Sequence, residues 1–182
     1  MEKRRGLSPY SNTRWMVEAG IMIALAQALS YVKVMEMPAG GSVTAGSMVP
    51  ILIFAARWGL KKGFLAGVTY GILQFLLGEK YSFHPVSLLC DYVLAFGLLG
   101  LAGLSTGSFA KTILGTILGV CGRFICHVIS GVIVFASYAP EGTTPLMHSI
   151  IYNGSYLLPE LIISVIMVVL LYKALKRYHP QN

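Results

Sequence analysis

Apolar residues run almost without interruption through this chain, and the breaks fall where Gly, Pro and charged residues gather. A helix crossing a membrane takes about 20 predominantly apolar residues, and shorter runs need tilt, burial or a thinned bilayer. On that measure six helices are predicted, over 15–35, 43–56, 63–77, 85–104, 112–137 and 145–175. The second and third are short for the task, so a five-span arrangement or one re-entrant segment stays open. The expected fold class is an all-α integral membrane protein, a compact bundle of six transmembrane helices. No linker rich in Ser, Pro or charge divides it, so residues 1–182 are expected to form one domain.

A few polar positions interrupt the apolar pattern. Residues 123–160, RFICHVISGVIVFASYAPEGTTPLMHSIIYNGSYLLPE, hold Arg123, His127, His148, Asn153 and Glu160 in or beside lipid-grade sequence. Polar side chains are costly in hydrocarbon, so a group of them is read as surrounding a small polar ligand. Arg123, His127, Gly131 and Phe135 recur about one helical turn apart and share a face. Gly131 is expected to leave room for a planar ligand between His127 and Phe135, either of which can stack on a ring. The alternative has His127 bonding a neighbouring helix and Phe135 facing lipid.

Asp91, within LLCDYVLAF, is flanked by apolar residues and needs a proton, a protein cation or a ligand cation. Arg123 is the internal candidate. It sits toward the inner side, however, whereas Asp91 enters from the outside. That mismatch favours a ligand role for Asp91 and leaves Arg123 to Glu18, Glu160 or the inner surface. In the last helix Ser149, Asn153, Tyr156 and Glu160 form one stripe, with His148 and Tyr152 on a neighbouring one. His148 and Asn153 stand about 140° apart on an ideal helix. Both can face one ligand only if His148 precedes the regular helix, which Pro145 would allow, and Pro159 should kink the helix further along. Asn153-Gly-Ser fits a glycosylation sequon, but its apolar helix argues against modification.

Composition agrees with the membrane reading: 55% of residues are hydrophobic, 12% are charged and mean hydropathy is +0.71. Cys90, Cys121 and Cys126 lie in apolar runs without CxxC spacing, which indicates neither zinc nor a disulfide framework. The basic start, MEKRRGLSPYSNTR, precedes an apolar run with no small-residue cleavage site, so the first helix is expected to be retained. In the six-span arrangement Lys3, Arg4, Arg5, Arg14, Arg57 and Lys61 fall on one side. Lys62, Lys111, Lys173, Lys176 and Arg177 join them, while Lys33 and Lys80 fall opposite. Both termini are therefore expected in the cytoplasm. Anionic headgroups then account for the net charge of +7, and no nucleic-acid partner is needed.

Small residues recur at helical spacing in Gly20, Ala24 and Ala28, in Gly63, Gly67 and Gly71, and in Gly115 with Gly119, each permitting close helix approach. The second and third stripes read as internal packing, whereas the first can also face a partner. Two catalytic readings fail on detail. Gly41 and Gly46 have Walker A spacing, but Ser47 stands where the phosphate-binding Lys belongs. Ser130 is near His127, and an intramembrane hydrolase would pair such a Ser with His127 or His148, but no elbow or oxyanion motif frames it.

The blocks EAGIMIALAQA, MPAGGSVTAGSMVPILI, FAARWGLKKGFLAGVTYGILQ, HPVSLLCDYVLAF, HVISGVIVFASYAPEGTTP and YNGSYLLPE together resemble the thiamine-specific S component of energy-coupling factor transporters, over nearly the whole chain. The resemblance implies a multi-pass protein of the bacterial cell membrane that captures thiamine from outside. It also implies docking on a transmembrane T subunit that carries two ATPase subunits. No cofactor and no enzyme activity are implied. Gly20, Ala24 and Ala28 match the family's AxxxA docking motif, with Gly20 in place of an Ala. Asp91 takes the acidic position, commonly Glu, followed by Tyr92. His127, Gly131 and Asn153 match, Phe135 stands where some members have Trp, and His148 where Tyr is usual. Gly40, Gly41 and Ser42 are the weaker choices, in a Gly-rich loop expected to act as a lid. Thiamine suits these residues: Asp91 would balance the thiazolium, Phe135 and His127 would stack on its rings, and Asn153 would read the aminopyrimidine edge. An S component for another vitamin or a thiamine precursor shares the fold and stays open, and an intramembrane hydrolase is the more distant alternative.

Overall fold

The computed structural model describes residues 9–104 and 108–177, with side chains over 13–104 and 108–171. Lys3, Arg4 and Arg5, expected in the inner basic cluster, lie outside the described residues, as do the side chains of Lys173, Lys176 and Arg177. Six helices follow in order: α1 (Pro9–Ser30), α2 (Val49–Trp58), α3 (Leu60–Leu77), α4 (Pro85–Gly103), α5 (Phe109–Ile133) and α6 (Pro145–Arg177). Strands β1 (Lys33–Glu36) and β2 (Ser42–Thr44) form an antiparallel hairpin between α1 and α2, pairing Lys33 with Thr44 and Glu36 with Ser42.

The protein is an all-helical membrane protein apart from that hairpin. Pro85–Gly103, Phe109–Ile133 and Pro145–Leu171 are long and apolar enough to cross a membrane. Their sidedness inverts the soluble pattern. Along α6, Ser149, Asn153, Tyr156, Glu160 and Ser164 are buried, while Leu158, Ile162, Ile166 and Leu170 are exposed. An apolar outer face suits lipid, and an inward polar stripe avoids placing hydrogen-bonding groups in hydrocarbon.

The first, third and fifth helices begin earlier than predicted, at Pro9, Leu60 and Phe109, and three further boundaries move for a visible reason. The first predicted helix, 15–35, ends at Ser30, because the alternating β-branched residues after it enter β1. The second, 43–56, begins only at Val49, since 42–44 belong to β2. The fifth, 112–137, stops at Ile133, and a short 3₁₀ turn spans Ala136–Tyr138.

The short length of α2 has a packing cause. Val49 through Ala56 are all buried, and the helix contacts each of the other five. Eight apolar residues so enclosed form a core helix rather than a lipid-facing one. Gly59, at φ +87°, turns the chain directly into α3.

The glycine stripes of α3 and α5 are packing surfaces. A Cβ on Gly67 would meet the Phe96 carbonyl, and one on Gly71 the Tyr92 carbonyl, so α3 lies backbone to backbone on α4. Gly115 of α5 approaches the Leu101 carbonyl in the same way. Helix α4 is irregular where these neighbours press on it: Leu88–Leu94 is π-helical and Leu98–Gly103 is 3₁₀. π-Bulges often mark functional positions, and this one contains Asp91.

Gly20, Ala24 and Ala28 face away from the bundle, in contrast, and an added Cβ on Gly20 meets nothing within 4 Å. At the lower end of the same helix, Glu18 pairs with Arg57 at 2.8 Å. Of the three places left open for Arg123, Glu18 is thus taken by Arg57. Lys62 lies 4.5 Å from the Trp58 ring centroid and 5.4 Å from that of Trp15, joining α1, α2 and α3 by cation–π contact.

Candidate functional site

A cavity of about 490 Å³ opens among the hairpin and helices α1, α3, α4, α5 and α6. That lies within the roughly 300–1,000 Å³ typical of small-molecule sites. Asp91, Tyr92, His127, Gly131 and Phe135 line it. So do His148 and Asn153, together with Gly40, Gly41 and Ser42 from the hairpin turn. The residues singled out in the sequence therefore converge, although several do so by a different geometry.

Asp91 is firmly held. Its Oδ2 accepts from the hydroxyls of Ser87 and Ser130, both at 2.6 Å, and its Oδ1 lies 2.9 Å from His127 Nδ1. Arg123 Nε–H donates to His127 Nε2 at 3.1 Å. A guanidinium only donates, so Nε2 is the acceptor and the imidazole proton sits on Nδ1, directed at Asp91. The separation in depth expected between Asp91 and Arg123 does not hold, because His127 bridges them. The Arg123 guanidinium also stacks 4.2 Å from the Phe96 ring centroid. This chain of contacts leaves Ser130 bonded to the carboxylate rather than to an imidazole nitrogen. Arg123 occupies His127 Nε2 and Asp91 faces Nδ1, so His127 has no free lone pair with which to act as a base toward Ser130.

Gly131 serves a different neighbour from the one expected. The space its missing side chain leaves is filled by the Ser149 hydroxyl, so the residue permits α5 to approach α6 rather than holding a slot between His127 and Phe135. Phe135 lies beyond the end of α5 and rests edge-on against Tyr138 at 5.8 Å. His148 does not precede the helix, since α6 begins at Pro145 and the His148 amide bonds the Thr144 carbonyl. His148 and Asn153 both reach the cavity because it wraps around α6. Asn153 is held on both sides of its amide: Nδ2 donates to the Ser149 carbonyl at 2.9 Å, and Oδ1 accepts from Tyr156 at 2.7 Å.

Aromatic rings form one wall. His148 stacks on Tyr152 at 6.0 Å, Tyr152 meets Tyr156 edge-on at 5.9 Å, and Tyr156 meets His127 at 6.3 Å. Tyr152 also closes the roof, because its hydroxyl accepts from the backbone amides of Ala39 and Gly41 at 3.1 and 3.2 Å. Gly41 lies flat against the Tyr156 ring, where a Cβ would collide.

At the mouth, Lys33 pairs with Glu36 at 2.5 Å and with Glu79 at 3.6 Å. Tyr81 donates to Glu79, which pushes the Tyr81 phenol up to about 12 and draws the Glu79 carboxyl below its ordinary range.

Sequence reasoning missed the far end of the cavity. Gln27, Tyr70, Gln74, Thr44 and Ser47 line it, beside Glu160. Gln27 and Gln74 do stand inside apolar runs, which is a signal of the same kind as Asp91. Gln74 Nε2 donates to Gln27 Oε1 at 2.8 Å.

Similarity to known proteins agrees with this architecture. The chain is 36% identical over 177 residues to the thiamine transporter ThiT of Bacillus subtilis (strain 168), covering 89% of this chain and 92% of that one. It is 30% identical over 169 residues to the thiamine transporter ThiT of Lacticaseibacillus paracasei, covering 84% of each. The solved structure of ThiT from Listeria monocytogenes superposes with a TM-score of 0.77 at 26% identity, over 90% of this chain and 96% of that one. The family model for the thiamine transporter protein (Thia_YuaJ) matches residues 16–179, and the chain belongs to that family.

Proposed function

We propose that this protein binds thiamine in the cavity between the hairpin and α6, and serves its uptake as the S component of an energy-coupling factor importer in the bacterial cell membrane. The observation that carries the reading is a cavity with a firmly oriented carboxylate, Asp91, facing an aromatic wall. An organic cation with flat rings answers both features: the field of Asp91 opposes its charge, and the rings stack on His148, Tyr152 and Tyr156. Tyr92, His127, Gly131, Phe135, Asn153, Gly41 and Ser42 complete the proposed site. Relatives that are named thiamine transporters support this choice among vitamins.

Gly20, Ala24 and Ala28 are proposed to dock on the T subunit, which carries the two ATPases. Their exposure on α1 supports that role. Both termini are assigned to the cytoplasmic side, in line with Arg14, Arg57, Lys61 and Lys62 clustering at the end of the bundle opposite the hairpin. Calorimetry of the purified chain against a vitamin panel tests the reading. Tight binding of thiamine with no heat from riboflavin is expected, and preference for another vitamin would reject it.

A further inference from the structure

The far end of the cavity holds two buried polar atoms that have no hydrogen-bond partner among the described residues, Glu160 Oε2 and Gln27 Nε2. Glu160 is 3% exposed and Gln27 is 8% exposed, and both line the cavity. The other oxygen of Glu160 is satisfied twice by the hairpin, from the Thr44 amide at 2.5 Å and the Thr44 hydroxyl at 2.7 Å. Ser47 braces that hydroxyl at 2.8 Å. On the Gln27 side, the Tyr70 hydroxyl accepts from Gln74 Nε2 at 3.1 Å, and the same amide donates to Gln27 Oε1 at 2.8 Å, leaving Gln27 Nε2 open.

Asp91 presents the opposite picture, since three protein donors already occupy its oxygens. It supplies a field to the cavity, while Glu160 supplies an open lone pair. A buried carboxylate oxygen left unpaired is costly, and so is an unpaired amide. The geometry points to a second recognition subsite, in which Glu160 Oε2 accepts from, and Gln27 Nε2 donates to, a polar group of the bound organic cation. That group carries a donor and an acceptor side by side. This inference rests on reading the cavity as a thiamine site, and thiamine offers two such groups: its hydroxyethyl hydroxyl and its aminopyrimidine edge.

The test is a calorimetric cycle on the purified full-length chain. It compares wild type with Glu160→Gln against thiamine, an analogue with the hydroxyl replaced by hydrogen, and an analogue with the exocyclic amine replaced by hydrogen. Glu160→Gln should weaken thiamine binding about tenfold or more, as expected for a bond to a charged acceptor. That penalty should vanish for one analogue and persist for the other, which identifies the group held. A residue that merely anchors Thr44 would give the same penalty for all three ligands, and that result would overturn the subsite, as would thiamine binding within about twofold of wild type. If Glu160→Gln does not fold, Glu160→Asp, which keeps the charge and withdraws Oε2, runs through the same cycle. Wild type failing to bind thiamine at all would reject the thiamine reading and the subsite together. Uniform penalties with wild-type binding intact would reject the subsite alone.

Discussion

His127 Nδ1 and Asp91 Oδ1 lie 2.9 Å apart across 36 positions of sequence, and this contact sets the charge distribution of the cavity. The imidazole, neutral and fixed by Arg123, holds one face of the carboxylate while Ser87 and Ser130 hold the other. A carboxylate positioned before any ligand arrives loses little on binding a cation, because the ordering has already been done by the protein.

Asp91→Asn retains the shape and removes the charge. Thiamine affinity should fall by about thirtyfold or more, in keeping with the loss of a buried charge pairing. The thermal midpoint in detergent should move far less, because the serines and His127 can still bond an amide. Unchanged calorimetric affinity would exclude Asp91 from thiamine binding.

Tyr152→Phe deletes one oxygen that two hairpin amides share. The roof then loses two bonds of about 1 kcal/mol each. Dissociation of labelled thiamine should accelerate up to about tenfold while association changes little. Equal dissociation rates in variant and wild type would mean that these bonds do not hold the cavity shut.

The two kinds of small-residue stripe should separate cleanly. Gly67→Ala drives a methyl group into the Phe96 carbonyl and should cost about 1–3 kcal/mol of stability. Gly20→Ala, with open space around it, should leave both stability and thiamine affinity unchanged. Ala24→Trp should leave binding intact yet abolish thiamine uptake in cells, if α1 is the docking face. Normal uptake by that variant would move docking elsewhere.

The loop with Walker-like glycine spacing is part of the hairpin and its exit, where the Ser47 hydroxyl braces Thr44. The pure chain should therefore bind thiamine without hydrolysing ATP. Measured nucleotide turnover above the buffer rate would contradict the assignment.

The sequence made the apolar architecture and most of the site legible, because a polar residue in hydrocarbon is conspicuous. Asp91, His127 and Asn153 were visible on that ground alone. What it concealed were relationships between helices. Periodicity placed Gly131 on the right face but could not show Ser149 arriving in its space. Spacing along α5 suggested that Phe135 continued a helical stripe, yet the helix stops two residues earlier. Depth estimated along separate helices kept Arg123 from Asp91, and only the crossing of α4 with α5 placed His127 between them. Glu160 stood out as polar, but its partner Thr44 is 116 positions distant, and no spacing along one helix could show that contact.

The enclosure of α2 sets where motion can occur. Its residues 49–56 are buried against every other helix, and the hairpin leads straight into it. If the hairpin acts as the lid, its β2 end is fixed to this buried helix, and movement is expected on the β1 side, between α1 and the Gly40 turn. No α2 side chain lines the cavity. A cavity-forming substitution such as Phe54→Ala should nonetheless shorten the ligand's residence time, by loosening the jamb from which the door hangs.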